Sequence, residues 1–206
     1  MTRDLESITD LELVESAKLG DKTAFSALVV RHQRGLLRLG LRFMKDLDSA
    51  EDIVQEAFIK AYEKLDGFEG RSSFKSWLYQ IALNTARNKL RETKRETVDI
   101  EDAHLSVVAV VETDMVHTAV KDLLNKEVEK LPFRQRTALV LRVYEDLSFQ
   151  EIAEIMQCPY DTAKANYRHA LIKLKEAFND RQDLKTWTLE TGGFFMELYP
   201  LKEAEG

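Results

Sequence analysis

Residues 147–174 read LSFQEIAEIMQCPYDTAKANYRHALIKL, and this segment carries the strongest structural signal in the chain. Ser148 is followed three residues later by Glu151, a spacing that favours a capping box at the start of a helix. Pro159 cannot continue that helix, because its ring removes a backbone donor and clashes with the preceding turn. The segment therefore predicts two helices joined by a turn at Pro159, the arrangement of a helix-turn-helix.

The second helix of this motif presents a basic surface, and Asp161 or Thr162 is expected to cap it. Within residues 162–175 every charged residue is basic. A close crossing of two helices that exposes basic and amide side chains suits readout of the DNA major groove. The residues on its outer faces are the candidate contacts to DNA: Lys164, Asn166, Arg168, His169 and Lys173. An ordinary helical hairpin with a solvated basic face is the alternative.

The composition narrows the class of protein. The chain has 206 residues, a net charge of −6 and only 8 Gly and 3 Pro, which favours an all-α protein and disfavours a histone-like coat for DNA. Cys158 is the only cysteine, which excludes an internal disulfide and fits a reducing cytoplasm. No apolar run approaches the roughly 20 residues that cross a bilayer, and the acidic start lacks an apolar signal core. A cytoplasmic protein is therefore expected.

Apolar residues recur at helical spacing through most of the chain. They predict helices over residues 10–19, 22–44, 49–65, 73–93, 117–130, 133–145, 148–157 and 162–178. The third of these is expected to begin at a cap on Ser49. The segment 96–114 is acidic and has no Lys or Arg, so it is interpreted as a linker between two small helical domains, 1–95 and 115–180. A tail of unknown role follows over residues 181–206.

A second basic helix is predicted over residues 73–93. It ends in several Lys and Arg residues, and Asn84 and Asn88 share one of its faces. Basic and amide side chains with nearby aromatics suit single-stranded or partly melted nucleic acid. Trp77 is expected in the core, whereas Tyr79 lies off the apolar stripe and is the better candidate for stacking on a base.

An acidic surface is predicted on the helix upstream. Five residues share that surface: Asp48, Asp52, Gln55, Glu56 and Ile59. From these residues alone, the surface is best interpreted as a solvated helix face.

Three distant segments together resemble one family. They are DSAEDIVQEAFIKAYEKLDGFEG (48–70), FKSWLYQIALNTARNKLRETKR (74–95) and LPFRQRTALVLRVYEDLSFQEIAEIM (131–156). The chain resembles bacterial RNA polymerase sigma factors of the extracytoplasmic-function group, within the sigma-70 family. The first two segments are similar to region 2 of that family, and the third is similar to region 4.

The resemblance implies a role for each candidate surface. The acidic surface on residues 48–59 would dock on core RNA polymerase. A loop would capture a flipped base of the −10 element: Phe68, Arg71, Ser72 and Ser73. The helix after it would lie along the −10 DNA: Tyr79, Asn84, Arg87, Asn88 and Arg91. The recognition helix would contact the −35 element: Tyr160, Thr162, Lys164, Asn166, Arg168, His169 and Lys173.

The chain departs from the family pattern in the helix-turn-helix. Gln157 stands where the family usually has glycine, at a position that often requires a positive φ. Asn166 and His169 replace frequent arginines, and because Asn pairs with adenine whereas Arg favours guanine, an uncommon −35 sequence is expected.

The expected function is that of an alternative sigma factor, with core RNA polymerase, promoter DNA and an anti-sigma factor as partners. No cofactor or metal is expected. An enzyme is not expected, because the sequence has no phosphate-binding glycine loop, no H-E-x-x-H and no Cys/His cluster. A stand-alone helix-turn-helix regulator that does not bind core polymerase remains the alternative, as does a helical adaptor that binds proteins only.

Overall fold

The structure is a computed structural model, and it describes residues 8–44, 46–96 and 115–179. These residues form eight α-helices and one short 3-10 turn, at Leu65–Gly67, and no strand. The helices are α1 Asp10–Lys18, α2 Lys22–Leu41, α3 Leu47–Glu63, α4 Phe74–Glu96, α5 Met115–Lys130, α6 Phe133–Val143, α7 Phe149–Met156 and α8 Tyr160–Asn179. The prediction of an all-α chain is confirmed.

The chain divides into two compact units. The N-terminal unit contains α1–α4 with the 3-10 turn, and the C-terminal unit contains α5, α6, α8 and the first part of α7. The predicted linker beyond Glu96 and the predicted tail lie outside the described residues.

Short polar side chains determine where the helices begin. Thr9 and Glu12 form a complete capping box on α1, and Ser148 and Glu151 form the predicted one on α7. The expected cap on Ser49 is wrong, because α3 begins two residues earlier and Asp46 accepts from the Ser49 amide at 2.7 Å.

The expected cap on α8 is also wrong. This helix begins at Tyr160, so Asp161 and Thr162 already lie in its first turn. The carbonyl of Pro159 accepts from the amides of Thr162 and Ala163 at 3.0 and 3.1 Å. The Pro159 carbonyl makes the first hydrogen bonds of α8, and neither Asp161 nor Thr162 precedes the helix as a cap.

Two glycines allow α2 to pack closely in the N-terminal unit. A Cβ on Gly40 would lie 3.2 Å from Cβ of Ala50 on α3, and one on Gly35 would overlap the hydroxyl of Tyr79 on α4. Tyr79 is only 1% exposed. The prediction that Tyr79 lies off the buried stripe is therefore wrong: α4 contacts α1, α2 and α3, so the face that it buries is wider than a single stripe.

Helix α1 is fixed to α2 by a polar cluster. Asp10 lies 2.7 Å from Nε2 of His32 and 2.5 Å from Nη1 of Arg31, and Nη2 of Arg31 donates to the carbonyl of Ile8 at 2.9 Å. Burial raises the pKa of the Asp10 carboxyl, but the hydrogen bonds and charges of His32 and Arg31 outweigh it and hold that pKa below its ordinary value. The cluster gives α1 a fixed position on the unit.

The C-terminal unit has its own core, in which α8 packs against α5 and α6. The buried members of that core are Leu124, Val128, Leu131, Leu139, Ala170 and Leu174.

In the turn of the helix-turn-helix, Gln157 has a φ of 49°, so the expected positive φ at this position is confirmed. The amide of Cys158 donates to the carbonyl of Ala153 at 3.0 Å and closes the turn.

Replacing Gln157 by glycine is expected to raise the free energy of unfolding by up to about 1 kcal/mol, because glycine adopts a left-handed φ without the Cβ clash. Urea denaturation followed by circular dichroism measures the change. The matched control is Gln157→Ala, which keeps a Cβ and is expected to stay within about 0.5 kcal/mol of the parent. A glycine variant no more stable than the alanine variant would contradict the prediction.

Candidate nucleic-acid interface

The predicted acidic surface on α3 is exposed and has an apolar residue at its end. Four of its residues are exposed: Asp48, Asp52, Gln55 and Ile59. The fifth, Glu56, is partly buried. Asp52 accepts from Nζ of Lys89 on α4 at 2.6 Å, and Glu56 pairs with Lys60. Ile59 is 58% exposed. We call this the α3 surface; it combines negative charge with an exposed apolar side chain, as an association surface does.

The loop over residues 68–73 connects the 3-10 turn to α4. Phe68 is 4% exposed, with its ring 5.0 Å from that of Trp77 and 5.9 Å from that of Phe74. The expectation that Phe68 faces a base is therefore wrong, because its side chain fills the core beneath the loop. Arg71 is exposed and pairs with Glu69 at 2.5 Å, so it remains available at the surface.

The end of this loop is a helix cap. The hydroxyl of Ser73 accepts from the amide of Ser76 at 3.0 Å and donates to the hydroxyl of Ser76 at 2.9 Å. Ser73 is therefore engaged with α4, and Ser72 is partly buried. Of the four loop residues predicted as contacts, Arg71 is the most accessible.

The loop also has a partner that the sequence gives no signal for. Nζ of Lys18, at the end of α1, donates to the carbonyl of Phe68 at 2.8 Å. The two residues lie 50 positions apart, and neither spacing nor periodicity relates positions that distant.

Helix α4 exposes one polar face, which we call the α4 face. All four of its predicted residues are exposed and repeat at helical spacing: Asn84, Arg87, Asn88 and Arg91. Lys89 is not part of this face, because it turns toward Asp52 on α3. Two amides and two guanidinium groups on one face can bind both bases and phosphates. Tyr79, predicted as a contact, lies in the core instead.

Helix α8 exposes several of the residues predicted to contact DNA, and we call them the α8 face. Tyr160, Arg168, His169 and Lys173 are exposed, and Thr162, Lys164 and Asn166 are partly buried. The amide of Asn166 donates to the carbonyl of Thr162 at 2.8 Å. The amide nitrogen of Asn166 carries a second hydrogen, so this bond does not exclude the predicted pairing with adenine, but it restricts how the amide group can turn.

An aromatic cluster fixes the helix-turn-helix from inside. The ring of Phe149 lies 6.2 Å from that of Tyr160 and 5.5 Å from that of Tyr167, with the Arg142 guanidinium 5.3 Å from its centroid. Nη1 of Arg142 also donates to the carbonyl of Leu147 at 2.8 Å. These contacts join the first turn of α7 to α8 and set how α8 is presented.

Two pKa values are shifted by burial in this motif. Burial raises the pKa of the Tyr167 hydroxyl, and the charge of Arg142 partly opposes it. Burial likewise raises the pKa of the Cys158 thiol against the charge of Arg134. Both groups are therefore neutral at physiological pH, and the positive charge of the α8 face comes from its Lys and Arg residues.

In residues 8–44, 46–96 and 115–179, no group of three or more His, Cys, Asp or Glu side chains could hold a metal ion. None of the helices described here is long and apolar enough to span a membrane.

Comparison with known proteins agrees with this arrangement. Residues 28–96 match the family model described as sigma-70 region 2, and residues 121–174 match the one described as sigma-70, region 4. The RNA polymerase sigma-H factor of Pseudomonas aeruginosa is 41% identical over 167 residues, which cover 76% of this chain and 86% of that protein. The ECF RNA polymerase sigma-E factor of Escherichia coli is 37% identical over 187 residues, 85% of this chain and 95% of the relative.

Two solved structures share the fold. The sigma factor RpoE of Bartonella quintana, in complex with the anti-sigma factor NepR, matches with a TM-score of 0.60 and 27% identity over 74% of this chain and 94% of that one. CnrH in complex with the cytosolic domain of CnrY matches with a TM-score of 0.65 over 84% of this chain and 99% of that one, and at 22% identity it supports the fold alone.

Proposed function

The chain belongs to the sigma-70 family, in its extracytoplasmic-function (ECF) group, and from that premise we propose that it binds core RNA polymerase, directs it to specific promoters and helps to melt their −10 element. The observation that carries the proposal is that one chain joins a region 2 match, with an exposed α4 face, to a region 4 match that contains a helix-turn-helix. A stand-alone regulator would need the region 4 match but would have no use for the region 2 match.

The α3 surface is the proposed docking site for core polymerase. Ile59 is exposed to water in the free chain, and burying the exposed part of this apolar side chain would favour association. The surrounding carboxylates favour a basic partner surface and limit the orientations in which it can dock. The pairing of Asp52 with Lys89 keeps one of these carboxylates in place before the partner arrives.

The 68–73 loop and the α4 face are the proposed site for the −10 element. Extruding one base costs a few kcal/mol of lost stacking, which contacts to that base must offset. These exposed side chains have proposed roles: Arg71 contacts the extruded nucleotide, Asn84 and Asn88 hydrogen-bond bases or sugar, and Arg87 and Arg91 contact phosphates. This action requires no covalent step, in keeping with a family whose members are not enzymes.

The α8 face is the proposed reader of the −35 element. Arg168 and Lys173 carry charge for phosphates, whereas Thr162, Lys164 and His169 can reach base edges. With its amide on the Thr162 carbonyl, Asn166 offers a carbonyl oxygen, which accepts from the exocyclic amine of cytosine or adenine. The domain assignment follows: residues 1–95 act on polymerase and the −10 element, and residues 115–180 act on the −35 element.

An anti-sigma factor is the proposed regulatory partner, because a structural relative of this chain, the sigma factor RpoE of Bartonella quintana, was solved in complex with the anti-sigma factor NepR. Its proposed effect is to cover the α3 surface and the DNA-binding faces. Because the proposed targets of the chain are core RNA polymerase and promoter DNA, its proposed location is the cytoplasm.

The test mixes the full chain with purified bacterial core RNA polymerase and looks for co-elution, then for run-off transcripts from a genomic fragment library. A complex that produces transcripts from discrete start sites supports the proposal. Absence of a complex, in a preparation free of any inhibitor, would favour the stand-alone regulator.

A matched pair of variants tests the docking surface in the same experiment. Ile59→Glu places a charge on the α3 surface and is expected to weaken co-elution at least tenfold, because an unpaired charge would be buried on docking. Leu19→Glu makes the same change at a side chain that is 90% exposed and lies outside that surface, and it is expected to co-elute normally. Equal loss in both variants would argue against the α3 surface as the docking site.

A further inference from the structure

We propose that Lys18 is a positioning residue for promoter melting: through the carbonyl of Phe68 it holds the 68–73 loop in the shape that receives the extruded base. This inference rests on the proposed function and extends it to α1. All of that helix lies before residue 28, where the region 2 family match begins.

The contact itself is strong and partly shielded. Nζ of Lys18 lies 2.8 Å from the Phe68 carbonyl oxygen and 2.9 Å from Oε1 of Glu15. A hydrogen bond from an ammonium group is stronger than one between neutral groups. The Phe68 carbonyl is the last backbone acceptor before the exposed part of the loop, so its direction sets the path of the residues that follow.

The Lys18 ammonium group is carried by α1, a helix whose position in the N-terminal unit is fixed. Asp10 binds α1 to Arg31 and His32 on α2, close to the opposite end of α1 from Lys18. The same helix approaches the loop at a second point, since a Cβ on Gly70 would lie 3.7 Å from Cδ1 of Leu11. Helix α1 therefore supports the loop at Phe68 and at Gly70.

The loop is fixed at both ends and exposed between them. Phe68 is buried at one end, Ser73 caps α4 at the other, and Gly70 takes a φ of 70° that allows the turn between them. Glu69 and Arg71 are exposed in the middle. A loop held in its binding shape loses less conformational entropy when it captures a base, and this lowers the free-energy cost of capture.

Trp77 reports on the anchor without any DNA. Its ring lies 5.0 Å from that of Phe68, and the chain has only 2 Trp residues, so a Trp187→Phe background isolates its fluorescence. Lys18→Met keeps the length of the side chain and removes the donor; it is expected to increase quenching of Trp77 by acrylamide. Glu15→Gln removes the negative charge of the other partner of Lys18 but keeps an acceptor oxygen, and it is expected to leave quenching unchanged. Lys18→Arg is expected to restore most of the protection of Trp77 that Lys18→Met loses.

The decisive measurement is made with holoenzyme and the single-stranded −10 segment of a promoter found in the library transcription. Lys18→Met is expected to bind this strand about tenfold more weakly than the parent, the loss typical of one charged hydrogen bond. An abasic site at the captured base is expected to abolish the difference between the two proteins, whereas abasic sites elsewhere are expected to preserve it. Lys18→Arg is expected to recover most of the affinity.

Two results would overturn the inference while the proposed function stands. In the first, Lys18→Met binds the strand as tightly as the parent does. In the second, Lys18→Met loses the same factor of affinity on every abasic strand, as a variant with a general folding defect would. If the parent holoenzyme itself does not bind the strand, the proposed function fails and the inference fails with it. A change in Trp77 quenching would then report only a structural contact.

Discussion

Replacing Tyr79 by alanine is expected to lower the free energy of unfolding of the N-terminal unit by about 3–5 kcal/mol, the cost of a cavity left by a large buried ring. Tyr79 is 1% exposed, and α2 approaches it at Gly35, where a Cβ would overlap its hydroxyl. The helices cannot collapse into the space without losing that crossing. Denaturant unfolding, followed by Trp77 fluorescence in the Trp187→Phe background, measures the loss.

Tyr62→Ala is the matched control on α3. That ring is 48% exposed and contacts Phe25 at 4.9 Å, so its removal is expected to cost about 1 kcal/mol. Tyr79→Phe keeps the ring and is expected to retain most of the stability that alanine loses. If Tyr79→Ala were as stable as Tyr62→Ala but bound promoter DNA poorly, that result would support Tyr79 as a residue that stacks on a base.

The apolar periodicity of α4 does not identify Tyr79 as a buried residue. A helix that packs on one neighbour buries a narrow stripe of side chains along its length. In the structure α4 packs against three helices, so a residue off the stripe becomes one of the most buried in the unit. The number of helices that pack against α4 is set by the tertiary fold and cannot be predicted from the spacing of apolar residues in its sequence.

Helix starts were predicted well where only one good cap was available. Ser148 with Glu151 is such a case, and its capping box is present. Before α3, by contrast, Asp46, Asp48 and Ser49 can all cap, and only the backbone conformation selects Asp46. At α8 neither of the two candidate caps precedes the helix, which begins at Tyr160.

The candidate contacts follow the same division. Exposure of the α4 face could be predicted, because Asn84, Arg87, Asn88 and Arg91 are polar and share one side of a helix. The contact of Lys18 with Phe68 and that of Asp52 with Lys89 could not, because each joins helices distant in sequence. Asn166 adds a local constraint, since its hydrogen bond to the Thr162 carbonyl restricts how its amide group can turn toward a base.

Replacing both Arg87 and Arg91 by alanine is expected to weaken binding of holoenzyme to promoter DNA about ten- to a hundredfold while co-elution with core polymerase stays unchanged. Both guanidinium groups are exposed on the α4 face, one helical turn apart. If each contacts a phosphate, the slope of log affinity against log salt falls in magnitude by about 2, since each lost contact removes about one released counterion. Titrations at several salt concentrations give this slope directly.

Two controls separate the proposed phosphate contacts from a general change of charge. Lys22→Ala with Lys64→Ala removes the same total charge from exposed positions outside the α4 face, so its salt slope is expected to match that of the parent. Asn84→Ala removes an amide without changing charge and is expected to reduce open-complex formation while leaving the salt slope and core binding unaltered. An unchanged slope in the double arginine variant would mean that these guanidinium groups do not meet phosphates, and the path of DNA along α4 would have to be abandoned. Equal loss of core binding in Asn84→Ala would instead mark that residue as structural, because a contact made only in the promoter complex cannot affect a step that precedes it.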